Sequence, residues 1–317
     1  FASEETRLHV VSTTDHLDWR FEGTFHEGSD LREPRFLSMG GKLFLFYARL
    51  GADRLAFEPG LTRRVEYVEP GQWRTAQTVF EPGFIPWRMR VIEGVAWMMG
   101  YTGGDTIYSD GPSMLEVHWL RSLDGLDWTP VAPSGPVVLR GGVSETDFAL
   151  LSDGTVITVG RNEAGDEGGF GSRICHGPTD NPGAWRCVDD PRKYDSPLVF
   201  RHGEQTYLIG RRHLSESGAY DVQGEGTVAD RRLANQVAYW VVPKRCALWR
   251  IQQDTLQVDH VLDFPTAGDT CFSSIVPLGG NQFLMYDYSS PLAYPDIAWM
   301  DGQNGPTHIY RTTVTLP

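Results

Sequence analysis

Five β-hairpins of similar pattern constrain the fold of this chain more than any other feature. The first, at residues 29–49, begins with polar residues, continues through an apolar run to Gly40-Gly41, and ends in Leu-Phe-Leu-Phe-Tyr. Glycine pairs between alternating apolar runs are typical of tight hairpin turns. Variants of this unit recur at residues 86–101, 144–163, 195–213 and 269–290. The repetition predicts an all-β fold made of similar hairpin-containing units.

Tryptophan spacing gives the length of the repeat. Trp19, Trp73, Trp128 and Trp185 follow one another at intervals of 54, 55 and 57 residues, each after a polar turn. A period near 55 residues with four short strands per period indicates a β-propeller. We predict one propeller domain over residues 1–317 with five blades, six being the alternative, and a ring closed by the N- and C-terminal strands. The predicted blades cover about 30–83, 84–142, 143–194 and 195–268, and a fifth begins at 269.

An insertion interrupts the fourth predicted blade at about residues 214–245. We expect this segment to form a loop or a short helix packed over the open face of the propeller, because long loops of this kind often carry function. Asp15, Asp124 and Asp153 lie in polar turns, and we expect them to be turn residues.

Composition excludes several classes of function. The formal net charge is -13, which argues against a partner such as nucleic acid or an anionic membrane surface. No run of 18 apolar residues and no signal peptide is visible, so we expect a soluble protein and leave its compartment open. The four cysteines show no metal-binding spacing, and we expect buried free thiols, although Cys175 and Cys187 could face each other across a strand pair.

Charged and aromatic residues concentrate at the ends of the five hairpins. In a propeller these ends converge on one face, so we interpret them as one candidate pocket. Carboxylates placed among arginines there can be tuned so that one carboxyl group is an acid and another a base. The carboxylates at these ends include Glu33, Asp147 and Asp195. The candidate substrate-binding residues are Arg32, Trp87, Arg88, Arg161, Glu163, Arg211, Arg212, His213, Asp269 and Tyr288.

The pattern resembles the five-bladed propeller glycosidases: arabinanases and xylosidases, neoagarobiose hydrolases and mannoside phosphorylases. Arg32-Glu-Pro-Arg-Phe36 is similar to the phosphorylases' Glu-Asp-Pro-Arg stretch, which implies a catalytic role for Glu33. Asp147 and Asp195 resemble the carboxylates of blades three and four in the arabinanase group, which implies catalytic roles for them as well. The element Leu208-Ile-Gly-Arg-Arg-His213 resembles the phosphate-holding His-Arg element of the phosphorylases. The turns before the tryptophans partly match the Asp box of sialidases, which is a structural turn.

The resemblance implies a glycoside hydrolase that acts on an oligosaccharide carrying an anionic group. Free phosphate as a co-substrate, and hence a phosphorylase, is one alternative. A non-catalytic propeller that binds an acidic glycan is another, and a lyase with His213 or a tyrosine as its base is a third. Tyr286 or Tyr288 as a sialidase-like nucleophile is a further alternative. We predict no metal site, because no EF-hand-like loop occurs.

Overall fold

The computed structural model describes residues 5–51, 53, 57–108, 113–221 and 225–316. The chain divides into two compact units. The first consists of Phe1–Ser109 and Met114–Arg140, and the second of Asp110–Ser113 and Gly141–Pro317. All strand pairs between the named strands are antiparallel, and the sheets form the predicted five-bladed β-propeller arrangement.

The first unit contains a two-stranded sheet and two blades. The sheet pairs β1 (Leu8–Ser12) with β2 (Arg20–Phe25). The strands of blade one are β3 (Leu31–Met39), β4 (Lys42–Leu50), β5 (Pro59–Glu69), β6 (Gln72–Trp73) and β7 (Gln77–Val79). The strands of blade two are β8 (Ile85–Ile92), β9 (Val95–Thr102), β10 (Leu115–Ser122), β11 (Thr129–Pro130) and β12 (Val137–Gly141).

The second unit contains three blades and two helices. Blade three consists of β13 (Val143–Leu150), β14 (Thr155–Asn162), β15 (Ser172–Pro178) and β16 (Arg186–Asp190). Blade four consists of β17 (Leu198–His202), β18 (Gln205–His213), β19 (Lys244–Ile251) and β20 (Val258–Asp263). Blade five consists of β21 (Ser274–Gly279), β22 (Gln282–Ser289) and β23 (His308–Thr315). The helices are α1 (Val228–Val241) and α2 (Trp299–Gln303).

The five predicted hairpins are confirmed as the first two strands of the five blades. In blade one, β3 and β4 meet at Gly40 and Gly41, which have φ values of 59° and 73°. Both values lie in the left-handed region that a two-residue hairpin turn needs and that glycine adopts without strain. The local sequence therefore determines where each blade begins.

The polar turns before the tryptophans are built by aspartate side chains. Asp124 Oδ1 accepts hydrogen bonds from the backbone amides of Leu126 and Asp127 at 2.8 and 2.9 Å. Asp15 makes the corresponding turn before β2, and Asp153 accepts from a backbone amide two residues further on. The expectation that these three aspartates are turn residues is confirmed.

The hydrophobic core of each unit lies between neighbouring sheets. In the second unit, Val159 of blade three and Val199 and Leu208 of blade four are completely buried in one apolar cluster. In the first unit, Phe44 of blade one and Ala96 of blade two are buried together in the same way. Alternation along each strand sends these side chains toward the adjacent blade. This packing holds the hairpin ends in fixed positions.

The expectation of free thiols is wrong, because the four cysteines form two disulfides. Cys175 on β15 and Cys187 on β16 are directly opposed, with 4.1 Å between their Cα atoms, and form a disulfide. Cys246 on β19 and Cys271, which precedes β21, form a second disulfide. Opposed positions on antiparallel strands bring Cβ atoms close enough for such a bond. Composition alone could not show this because pairing depends on register.

The insertion of blade four contains a regular helix. Helix α1 has 14 residues and begins with a capping box, in which the Thr227 side chain accepts from the Asp230 amide and Asp230 accepts from the Thr227 amide. We expected a loop or a short helix in this segment, and the structure has a helix there; its place over the open face stays a prediction. Within the described ranges, no helix is long and apolar enough to cross a membrane.

Candidate functional site in the second unit

The backbone is irregular where each blade of the second unit begins. In blade three the pairing register of β13 with β14 shifts between Val143 and Thr146. Ser196, just before β17, has a φ of 52°, and Cys271, before β21, has a φ of 78°. Bulges and left-handed residues change the direction of neighbouring side chains and concentrate at functional sites. Here they direct polar side chains from three blades toward one cluster.

Arg161, at the end of β14, contacts three carboxylates. Its Nη1 lies 2.6 Å from Glu145 Oε1, and its Nε lies 2.6 Å from Glu163 Oε2 and 2.7 Å from Asp195 Oδ1. Asp195 is 1% exposed and Glu163 is 6% exposed. Buried charges of this kind are costly unless they are paired. Arg161 therefore joins three carboxylates from blades three and four.

Glu163 is held as an anion by two neighbouring basic side chains. Lys193, in the loop before blade four, places its Nζ 2.5 Å from Glu163 Oε2. Burial by itself would raise the pKa of Glu163, but the charges of Arg161 and Lys193 outweigh it and lower the pKa from 4.5 to about 2. The Glu163 carboxylate is therefore ionised throughout the neutral range.

Arg211, on β18, lies between two aspartate–tyrosine pairs. Its Nη1 donates to the Tyr239 hydroxyl at 2.5 Å, and that hydroxyl donates to Asp195 Oδ2 at 2.6 Å. Its Nη2 donates to the Tyr288 hydroxyl at 3.1 Å and to Asp269 Oδ1 at 3.3 Å. Burial raises the pKa of both tyrosines well above the ordinary value. Both hydroxyls therefore keep their protons and act as donors.

Asp269 accepts hydrogen bonds from four side chains. Besides Arg211, its Oδ1 accepts from the Tyr288 hydroxyl at 2.9 Å and from Trp299 Nε1 at 3.1 Å. Its Oδ2 accepts from Gln303 Nε2 at 3.2 Å. Trp299 and Gln303 are the first and last residues of α2, so this short helix partly surrounds the carboxylate.

The contacts form one continuous path, which we call the buried polar chain. Its members, in order, are Glu145, Arg161, Asp195, Tyr239, Arg211 and Asp269. Of the three carboxylates in this chain, the two at its ends are the more exposed. The side chains of Glu145 and Asp269 are 12% and 14% exposed, against 1% for Asp195. The chain thus connects two partly exposed carboxylates through Arg161 and the buried side chains of Asp195, Tyr239 and Arg211.

Two further basic residues beside the chain have lowered pKa values. Burial, the charge of Lys244 and that of Lys193 lower the pKa of His213 to about 3. Burial and the charge of Arg211 lower the pKa of Lys244 to about 6. His213 stacks on the Tyr239 ring at 6.1 Å between centroids. His213 therefore supplies no positive charge for an anionic ligand at pH 7.

The structure brings together many of the residues proposed from the sequence. Those in the cluster are Arg161, Glu163, Asp195, Arg211, His213, Asp269 and Tyr288. Arg212 lies apart from them and forms a two-bond ion pair with Asp263, at 2.7 and 2.5 Å.

Asp147 occupies a structural position. It is completely buried, its Oδ1 accepts from the Phe148 amide at 2.7 Å, and its Oδ2 accepts from the Val199 amide at 2.6 Å. Its carboxylate therefore connects β13 of blade three with β17 of blade four.

The remaining proposed residues belong to the first unit. Arg32 Nε lies 2.8 Å from Asp30 Oδ2. Glu33 has a φ of 54° and contacts Arg35 at 3.3 Å. Trp87 is 1% exposed with the Arg35 guanidinium 4.9 Å from its ring centroid, which favours a packing role over a sugar-stacking platform. Arg88 is also buried.

One group of potential metal ligands occurs among the described residues. Cys246, Cys271 and Asp287 have ligand atoms within 4.8 Å of one another. The two sulfur atoms are joined in a disulfide, so they do not form a thiolate site. Burial raises the pKa of Asp287 to about 6.

Sequence reasoning missed four residues of the cluster and underestimated a fifth. Lys193, Tyr239, Trp299 and Gln303 lie outside the hairpins, and Glu145 is only one of several polar residues at the hairpin starts. The one available signal for Tyr239 was the Ala-Tyr-Trp sequence near the end of the insertion. The other three carried no local signal, because their proximity arises from packing between blades and helices.

No family model matches this chain, and no curated protein matches it. Solved structures do. A protein of unknown function from Dyadobacter fermentans is 14% identical, with 100% of this chain and 85% of that chain covered and a TM-score of 0.63. A mutant α-L-arabinofuranosidase of Fusarium graminearum in complex with an iminosugar inhibitor is 11% identical, with 97% and 84% covered and a TM-score of 0.55.

An α-L-arabinanase of Penicillium chrysogenum, in complex with arabinobiose, is also similar to this chain. It is 13% identical, with 97% of this chain and 84% of that chain covered and a TM-score of 0.52. Identities of 11% to 14% carry information on architecture and not on individual site residues. The chain therefore shares the β-propeller fold of these glycosidases.

Proposed function

We propose that this protein is a carbohydrate-active enzyme that cleaves glycosidic bonds, as a glycoside hydrolase does. One observation carries the proposal: carboxylates from three blades, among them the partly exposed Glu145 and Asp269, gather around Arg161 and Arg211. Glycosidic cleavage most often uses two carboxyl groups, one as acid and one as base or nucleophile. The similar structures named as an arabinofuranosidase and an arabinanase support the same class of substrate.

The surroundings of Asp269 fit a sugar. Trp299 is half-buried beside it, and the Gln303 amide lies within hydrogen-bonding distance. An aromatic face packs against the apolar face of a sugar ring, while amide and carboxylate groups bind its hydroxyls. We assign Asp269 and Glu145, the latter held by Arg161 and the Ser196 amide, as the catalytic pair.

Asp195 has a different role in this proposal. Its two oxygens face Arg161 and the Tyr239 hydroxyl, and it is 1% exposed. It balances the charges of the arginines and fixes the geometry of both partly exposed carboxylates. Asp147, bound to two backbone amides, has no catalytic role here. Glu33, in the first unit, remains a predicted catalytic carboxylate to be tested separately.

The charge balance favours a neutral sugar over an anionic one. The cluster contains four carboxylates, those of Glu145, Glu163, Asp195 and Asp269, against the charges of Arg161, Lys193 and Arg211. Both arginines already contact carboxylates, and His213 is neutral. An additional phosphate, sulfate or uronate would therefore meet a site whose net charge is already negative. We expect turnover without phosphate.

The test is a screen of neutral aryl glycosides and acidic oligosaccharides, each with and without phosphate. We expect hydrolysis of a neutral substrate without phosphate and at least a hundredfold loss of kcat in Glu145→Gln and in Asp269→Asn. Asp189→Asn is the matched control, since it removes a carboxylate paired with Arg173 outside the cluster. Full activity in both site variants would refute the assignment, and a strict phosphate requirement would make the protein a phosphorylase.

A non-catalytic sugar-binding propeller is the second candidate. The low pKa of Glu163 favours it, because this carboxylate cannot hold a proton for an acid step at neutral pH. Sugar binding measured by calorimetry, with no product after days, would support that function. An unsaturated product absorbing in the near ultraviolet would instead indicate a lyase, which the raised tyrosine pKa values make a poor fit.

A further inference from the structure

Helix α1 packs with its polar face inward. Its buried residues are Arg232, Asn235 and Tyr239, whereas Leu233 and Val237 are 61% and 47% exposed. A surface helix usually buries its apolar face and exposes its polar one. Polar contacts, together with the aromatic cluster of Phe170, Tyr220 and Tyr239, therefore hold α1 on the second unit.

Those contacts lead directly to the site. Arg232 Nε donates to the carbonyl of Ala164 at 2.8 Å, next to Glu163. Lys244 Nζ, on β19, donates to the carbonyl of Tyr239 at 2.8 Å near the end of the helix. Carbonyls in the last turn of a helix have no partner within it, so this donor satisfies one of them. The helix is thereby fixed to blades three and four.

Tyr239 is enclosed on several sides. Its ring lies 5.4 Å from that of Tyr220 and 5.0 Å from that of Trp299, and Lys244 Nζ lies 4.1 Å from its centroid. The His213 ring stacks on it as well. A ring held in this way cannot change rotamer without displacing its neighbours. Its hydroxyl is therefore fixed in the middle of the buried polar chain.

We propose that Tyr239 is a positioning residue that α1 supplies to the site, an inference that rests on the proposed function. Its hydroxyl lies between Asp195 and Arg211 and donates to Asp195 Oδ2 at 2.6 Å. Arg211 Nη1 itself is 3.9 Å from the same oxygen, so the hydroxyl makes the closer contact. Through these neighbours Tyr239 fixes the side chains that hold Glu145 and Asp269. Without α1, the two partly exposed carboxylates would lose their common support.

The decisive experiment is a double-mutant cycle on the purified enzyme with the substrate found in the screen. We expect Tyr239→Phe to lower kcat about tenfold to a hundredfold and to leave KM within about twofold, because the hydroxyl touches no substrate. Asp195→Asn should lower kcat at least as much. The kcat of the double variant should equal that of the less active single variant, because the two residues act as one unit.

Controls separate positioning from folding. Tyr207→Phe, in the same blade and away from the cluster, should leave kcat and KM unchanged, and unfolding curves should show that each variant is folded. Because Tyr239→Phe leaves buried charges without the hydroxyl, replacement of Tyr239 by 4-aminophenylalanine is the second variant. Its para-amino group keeps a donor at the position of the hydroxyl, so it should retain more kcat than Tyr239→Phe.

The outcomes distinguish the two proposals. Wild-type kcat in Tyr239→Phe, multiplicative losses in the double variant, or no advantage of 4-aminophenylalanine over phenylalanine at position 239 would each overturn the positioning role. If Glu145→Gln and Asp269→Asn remain fully active, the proposed function itself fails. If those variants are inactive while Tyr239→Phe is normal, the proposed function stands and only the role of Tyr239 is wrong.

Discussion

Glu163 allows a sharp test of the electrostatics of the cluster. Its pKa falls from 4.5 to about 2 in the folded protein. A carboxyl group whose pKa is lowered by folding stabilises the protein above its unfolded pKa and loses that contribution as the pH falls toward its folded pKa. A change of this size corresponds to about 3 kcal/mol of unfolding free energy, present above pH 5 and lost between about pH 4.5 and pH 2.

The perturbation is Glu163→Gln, which keeps the shape and removes the charge. Lys193 is 2% exposed at its side chain and loses its partner, so the variant should be less stable at pH 7 by about 3–5 kcal/mol. On acidification the wild-type protein loses the contribution of Glu163, whereas the variant cannot titrate at this position. The difference in unfolding free energy between the two proteins should therefore shrink, by about 2 kcal/mol at pH 3.

The assay is urea unfolding of both proteins at pH 7, 5, 4 and 3. Asp189→Asn is the control, because its ion pair with Arg173 is 38% exposed at the carboxylate and should contribute less than about 1 kcal/mol. A deficit for Glu163→Gln that stays constant from pH 7 to pH 3 would refute the reasoning. It would show that Lys193 and Arg161 do not stabilise the ionised form of Glu163.

Two further predictions concern stability. Asp147→Ala should lower the free energy of unfolding by about 2–4 kcal/mol, since two backbone amides lose their acceptor. Activity per folded molecule should persist. Loss of activity in a folded variant would support the catalytic role predicted from the sequence. Replacing Cys175 and Cys187 with serine should lower the free energy of unfolding by about 3 kcal/mol, because the disulfide restricts the unfolded chain by closing a loop. A melting temperature equal to that of the oxidised parent would show that this bond does not form.

Much of the architecture could be predicted because its signals are local. Period-two alternation and glycine turns define each hairpin within about twenty residues, and Gly40 and Gly41 determine one of the turns by their own backbone preference. The polar hairpin ends are local signals too, which is why the sequence pattern alone identifies Arg161, Asp195, Arg211 and Asp269 as candidates.

Side-chain roles within those ends could not be predicted the same way. Asp147 and Asp195 both belong to hairpin starts, yet Asp147 binds backbone amides and Asp195 joins the polar chain. A bulge before Thr146 and the left-handed Ser196 decide which way the nearby side chains point. A shift of one residue turns a strand side chain to the opposite face, and such shifts leave little trace in composition.

Local sequence patterns were sufficient for the all-β class, the five hairpins and the set of charged residues available at their ends. Long-range packing established which of these residues meet, that Tyr239 enters from an inserted helix, and that Cys246 is bonded to Cys271. The difference lies in the range of the interactions. Strand and turn preferences act within a few residues, whereas ion pairs, buried hydroxyls and disulfides depend on how separate blades pack against one another.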